Sequence, residues 1–140
     1  MSQSGYSGTP LPQKLGLKPE LAALFVGLPP ELEHLTSNLL SAAKVPSLED
    51  ATGSDLDYIH VFETERGRLE DHAGRLKFML NASGMLWISW PKKASKVSTT
   101  ITEDVLRTVL LPTGLVDVKV CAINEIWSGL KFVLRRELRP

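Results

Sequence analysis

Leu21-Ala22-Ala23-Leu24-Phe25-Val26-Gly27 is a continuous apolar run closed by glycine. It is too short for a buried helix and fits a central strand covered on both faces. Pro29 and Pro30 follow at once, and proline suits a first helical turn because no intrahelical donor is lost there. Leu32, Leu35, Leu39 and Leu40 recur at helical spacing, so the pattern predicts a helix over 30–43. A buried strand feeding a helix is the unit of a parallel sheet. Its repetition down the chain predicts an α/β fold, a small doubly wound and mostly parallel sheet.

The rest of the chain extends that reading. Val45-Pro46-Ser47-Leu48 reads as a weak edge strand, because proline cannot donate to a ladder. Glu49 to Ser54 reads as a turn. Leu56 to Phe62, with its β-branched and aromatic residues, reads as the next strand. A helix over 65–80 places Leu69, Ala73, Leu76 and Leu80 on one stripe, while Gly67 and Gly74 share the exposed face. Ser83-Gly84 reads as a turn before a strand over Met85 to Trp90. Thr100-Ile101-Thr102-Glu103 matches a capping box. The helix it opens should bury Ile101, Val105, Leu106, Val109 and Leu110, and Pro112 and Gly114 stop it. Val116, Val118, Val120 and Ala122 then alternate with polar neighbours as in a half-covered strand. Asn124 to Gly129 turns the chain into a last strand over Leu130 to Leu134. The segment Leu115 to Leu134 is thus a C-terminal antiparallel hairpin.

With 140 residues, one domain is expected, and the 43% hydrophobic content can supply a core. Residues 1–13 read as a flexible tail and 14–140 as a single α/β domain. The 16 basic and 16 acidic side chains cancel, so the chain lacks the basic excess usual in nucleic-acid binders. No stretch approaches the ~20 apolar residues of a membrane span, and no membrane association is expected. The single cysteine, Cys121, excludes an intrachain disulfide and reads as a small buried hydrophobe. One cysteine and no secretory apolar segment point to the cytoplasm.

Four segments carry a resemblance: Trp90-Pro91-Lys92-Lys93, Thr102-Glu103-Asp104, Gly114 to Ala122 (GLVDVKVCA) and Trp127-Ser128-Gly129-Leu130-Lys131-Phe132. On these the chain resembles a bacterial family of small domains to which no function is assigned. The order of its strands and helices is also similar to class I methyltransferases. That resemblance implies a glycine-rich loop after the first strand for S-adenosylmethionine (SAM), and an acidic residue after the second strand for its ribose. Glu49 or Asp50 stands where the acid would be. Of the glycine loop only Gly27 is present, and Pro29 and Pro30 remove two backbone donors. A third strand is missing or reduced. The expectation is therefore a degenerate methyltransferase-like fold with no cofactor, in which SAM is disfavoured.

No catalytic constellation is spelled out. His34, His60 and His72 are scattered without ligand spacing, so no metal is expected. His60 lies in a strand and reads as a satisfied core or surface histidine. Lys92 and Lys93 end a central strand beside Trp90, where open α/β sheets place ligands, and two ammonium groups there would attract phosphate or carboxylate. Trp127 is expected as a wall or lid, Glu125 as an orienting group, and Ser128 beside them. The candidate ligand-binding set is Lys92, Lys93, Glu125, Trp127, Ser128 and Trp90. The reading is a non-catalytic domain binding a small anionic ligand or a protein partner, with self-association open. The alternative is an enzyme that binds SAM or another nucleotide in an atypical way.

Overall fold

The computed structural model describes residues 8–139. Six strands form one sheet, β1 (Ala22–Val26), β2 (Ser41–Val45), β3 (Leu56–Phe62), β4 (Leu80–Pro91), β5 (Leu115–Ala122) and β6 (Trp127–Leu134), in the order β2-β1-β3-β4-β6-β5. β2, β1, β3 and β4 are mutually parallel, and β6 is antiparallel to both β4 and β5. β5 therefore points the same way as β1 to β4, as the doubly wound reading with its closing hairpin requires. The order reverses between β1 and β3. That switch point is where a sheet of this kind opens a crevice at its carboxyl ends.

The sheet has two unlike faces. One is mostly aliphatic: Leu24, Val26, Ile59, Val61, Leu86, Ile88 and Leu130, with Phe132, pack beneath α2 (Arg66–Met79) and α3 (Glu103–Leu110). α2 buries Leu69, Ala73, Leu76 and Met79, the stripe read from the sequence shifted by one residue at its end. The other face carries Phe25, Tyr58, Phe62, Trp87 and Trp127. It is covered by the 3-10 turn Pro30–Thr36 and by the chain leading into β1.

Several local expectations fail for identifiable reasons. The helix predicted over 30–43 is only the 3-10 turn Pro30–Thr36, and the edge strand lies at Ser41–Val45 instead of 45–48. Pairing with β1 over five residues overrides the helical spacing. Leu32 and Leu35 are buried as expected, whereas Leu40 is 84% exposed. Ser83-Gly84 is not a turn. The ladder jumps from Leu56↔Leu80 to Tyr58↔Met85, so these residues form a bulge inside β4. A Cβ on Gly84 would lie 2.7 Å from the Leu56 carbonyl oxygen, which restricts the position to glycine. The capping box does not form either. Thr102 caps α3 by accepting from the Val105 N–H (3.2 Å), while Thr100 Oγ1 accepts from the Arg66 N–H (2.6 Å) at the start of α2. In β5 a register shift between Asp117 and Lys119 rotates the strand, leaving Val118 and Val120 half exposed and burying Cys121.

Of the stretch 1–13 read as a tail, residues 1–7 lie outside the described residues. Leu11–Lys14 form the short helix α1, and Leu15 behind it is fully buried. The Trp87 indole N–H donates to the Leu15 carbonyl at 3.0 Å, which fastens this lead-in to the middle of the sheet.

Candidate functional site

The loops after the five parallel strands share one rim. At its centre β1 ends in Gly27, whose φ of +68° is left-handed, and a Cβ there would lie 2.8 Å from the Phe62 carbonyl oxygen. Glycine is thus required for β1 and β3 to close side by side. The loop continues through Leu28, Pro29 and Pro30, so two of its residues offer no N–H.

Across from it, directly after β3, stands Glu63, 9% exposed. Its Oε2 accepts from the backbone N–H groups of Thr64 and Glu65, both at 2.9 Å, and lies 3.5 Å from Arg68 Nε. Oε1 accepts no hydrogen bond from the described residues. Among the described residues no fully enclosed side-chain oxygen lacks a partner, so Oε1 is not sealed inside the protein. One oxygen of this carboxylate is thus held by two amides and the other carries no hydrogen bond among the described residues. Arg68, from the first turn of α2, also approaches Glu49 Oε2 at 4.0 Å, tying the end of β3 to the segment after β2. A hydrogen bond with its own backbone, followed by the Ser47 hydroxyl, holds the Glu49 carboxyl below its ordinary pKa. On the β2–β3 side of the rim two carboxylates thus share the one guanidinium of Arg68, which leaves an excess of negative charge there.

The residues singled out from the sequence lie one and two strands further along, and they do not form one cluster. Trp90 is 9% exposed and packs in the aliphatic core under α2 and α3. Trp127 lies on the other face, edge-on to Phe62 with centroids 5.3 Å apart. Ser128 pairs with Trp90 in the β4–β6 ladder. Glu125 is exposed at the hairpin tip, and the turn is ordered instead by Asn124, whose Oδ1 accepts from the Ile126 and Trp127 N–H groups at 2.9 Å each. Lys92 is half-buried and Lys93 exposed, both on the loop leaving β4. Glu63 is absent from the candidate set read from the sequence. Its signal was an acid directly following a buried strand, and Arg68 carried no signal beyond helical spacing.

His60 is a core residue. It is fully buried, with Nδ1 2.9 Å from the Tyr58 hydroxyl and Nε2 2.7 Å from Ser89 Oγ, and it stacks on Phe62 at 4.3 Å. Desolvation pushes its pKa down to about 3. Ser89 and His60 resemble the serine–histidine pair of a hydrolase, but both are 0% exposed and serve the core. Among the described residues, no three metal-ligating side chains gather and no helix is long and apolar enough to cross a membrane.

No protein-family model matches the chain, and no curated protein matches it in sequence. Solved structures do resemble it. A SAM-dependent methyltransferase from Aquifex aeolicus superposes with a TM-score of 0.64 at 15% identity, covering 88% of this chain and 87% of that one. A putative type 11 methyltransferase from Sulfolobus solfataricus gives 0.62 at 12% identity, covering 89% of each. Magnesium protoporphyrin IX methyltransferase from Synechocystis PCC 6803, solved with SAM bound, gives 0.57 at 11% identity, covering 84% of this chain and 71% of that one. At such identities the likeness is one of fold, and the fold is methyltransferase-like. The expectation that no cofactor binds has no support in these neighbours, some of which were solved with SAM or its demethylated product SAH.

Proposed function

We propose that this chain is a SAM-binding domain of atypical design, an enzyme in which the cofactor is held at the β1–β3 switch point by carboxylates more than by loop amides. The observation that carries the reading is Glu63, nine-tenths buried after β3, with one oxygen held by two amides and the other without a hydrogen bond among the described residues. Such a group favours ligand N–H and O–H donors, and SAM offers amino and hydroxyl groups as well as a cationic sulfonium. Glu49 adds a second carboxylate after β2, where the methyltransferase resemblance expects an acid for the ribose. SAM, when bound, supplies an activated methyl group. The chain's own residues would orient it, with Glu63 and Glu49 as acceptors and the Leu28–Pro30 turn as a rigid apolar wall.

Pro29 and Pro30 favour a second reading, a non-catalytic partner-binding domain that keeps the fold without the cofactor. Calorimetry separates the two. Wild-type protein is expected to bind SAM or SAH. Glu63→Gln, which keeps an oxygen for the Thr64 and Glu65 amides but turns an NH2 group to the rim, should weaken binding about 10-fold or more, the scale of one hydrogen bond to a charged group. No binding by the wild type would sink the cofactor reading, and equal binding by Glu63→Gln would remove Glu63 from it.

A further inference from the structure

We infer that the loop leaving β4 is a site for a second, anion-bearing ligand, whose phosphate or carboxylate is held by Lys92, Lys93 and Lys96 alongside the cofactor; it rests on the proposed function only for what lies next to it. Five residues of this loop carry three ammonium groups, and none of them enters an ion pair among the described residues. Other cations close to acids do: Lys44 pairs with Glu33, Arg66 with Glu70, and Arg107 with Glu103, Asp104 and Asp117. In a chain with no net charge, three unneutralised lysines in one short loop make a local positive field.

The loop is also built to hold still. The Lys92 N–H donates to the Ile126 carbonyl at 2.7 Å, anchoring the start of the loop to the β5–β6 hairpin. Ser95 Oγ donates to the Lys92 carbonyl at 2.7 Å and accepts from the Val97 N–H at 3.2 Å. At the far end, Thr99 Oγ1 and the Thr100 N–H both donate to the Thr64 carbonyl, at 2.7 and 2.9 Å, next to Glu63. A braced loop needs little further ordering when a ligand arrives.

Lys93 opens the single 3-10 turn Lys93–Ser95 and Lys96 caps it, so the three lysines fall within five consecutive residues of one tight turn. Lys96 closes that turn at φ 63°, ψ 10°. This left-handed conformation suits glycine and is costly for lysine. Lys96 thus carries an ammonium group at a position whose backbone favours glycine. Charge is therefore divided along the rim, with Glu49 and Glu63 toward β2 and β3 and the lysines beyond β4. A cationic cofactor fits the first part, and an anionic partner molecule fits the second.

Titration of the full chain with inorganic pyrophosphate, alone and with saturating SAH, tests this. Pyrophosphate is expected to bind in both conditions and to weaken as NaCl is raised. Lys93→Ala/Lys96→Ala should weaken it at least 10-fold with SAH affinity unchanged. Lys96→Arg should retain binding, whereas Lys96→Gly should lose it while raising Tm, so that the loss cannot be ascribed to unfolding. Absent wild-type binding, or equal binding by the double alanine variant, overturns the inference. Competition between SAH and pyrophosphate overturns it too, since the lysines would then hold one end of the cofactor. Lysine-dependent pyrophosphate binding without SAH binding leaves the anion site standing and removes the proposed cofactor.

Discussion

Trp87 and Ile88 are neighbours on β4 and point to opposite faces of the same sheet, where they meet different kinds of core. Ile88 joins aliphatic side chains under two helices, and its burial is non-directional. Trp87 joins Phe25, Tyr58, His60 and Phe62 beneath a face with little helical cover, and its N–H is spent on the Leu15 carbonyl. Where helices supply cover, any well-shaped apolar residue serves. Where a 3-10 turn and a lead-in segment must do it, hydrogen bonds and aromatic geometry fix what packing area alone does not. The comparison teaches that the thinly covered face depends on particular residues, and the aliphatic face on volume.

The largest test is substitution at the pair itself. Trp87→Ala should destabilise by about 3–5 kcal/mol through lost volume, with a further loss from the unpaired Leu15 carbonyl, whereas Ile88→Val should cost only about 0.5–1.5 kcal/mol. Urea unfolding measures both. Hydrogen exchange should show the Leu15 and Leu17 amides, which bond to Leu11 and Pro12, opening early in Trp87→Ala alone. Equal losses at the two positions would break the distinction.

Next in size is a pH effect confined to the aromatic face. His60 has a folded pKa of about 3, below its ordinary 6.5, because burial disfavours its charged form. Between those values the unfolded chain binds a proton that the folded one refuses, so stability falls as pH is lowered from about 6.5 toward 3. The slope from this one group approaches about 1.4 kcal/mol per pH unit. Above pH 6.5 the group contributes no slope. His60→Gln, measured by denaturation across that window, should be less stable at pH 7 yet lack this share of the acid slope. An unchanged slope would mean that other groups govern it.

The smallest effect belongs to the outer side of the aliphatic layer. Gly67 and Gly74 lie on the exposed face of α2, and a Cβ at either meets nothing within 4 Å. Gly74→Ala should therefore stabilise by about 0.5–1 kcal/mol through helix propensity, a rise in Tm readable by calorimetry. A loss of stability would show that this face packs on something outside the monomer.

The aliphatic face was also the legible one. The spacing of Leu69, Ala73 and Leu76 reports the helical period of the cover over this face, while the apolar runs Leu21–Val26 and Met85–Trp90 report strands buried on both faces, and the structure places them accordingly. Leu32 and Leu35 reported burial correctly but not the element, because two or three leucines at helical spacing fit one 3-10 turn as well as a helix. The candidate site was less legible. Lys92 and Lys93 were visible as charge at a strand end, and Lys96 was not, since its meaning lies in a backbone angle. Trp90 and Trp127 were read as companions, yet the strand pleat sends them to opposite faces.

By itself, then, the sequence determined the strand–helix alternation from β3 onward, the parallel direction of the first strands and the closing hairpin. These follow from local periodicity, turn residues and the short list of ways such units can pack. Only the tertiary structure decided that Ser41–Val45 is a strand, that Gly84 sits in a bulge, and that one oxygen of Glu63 is tied while the other carries no hydrogen bond among the described residues. Each depends on a partner distant in the chain or on the backbone's path, in β1 for Ser41–Val45, the Leu56 carbonyl for Gly84, and the turn into α2 for Glu63. Periodicity records which residues are buried; it does not record what they are buried against.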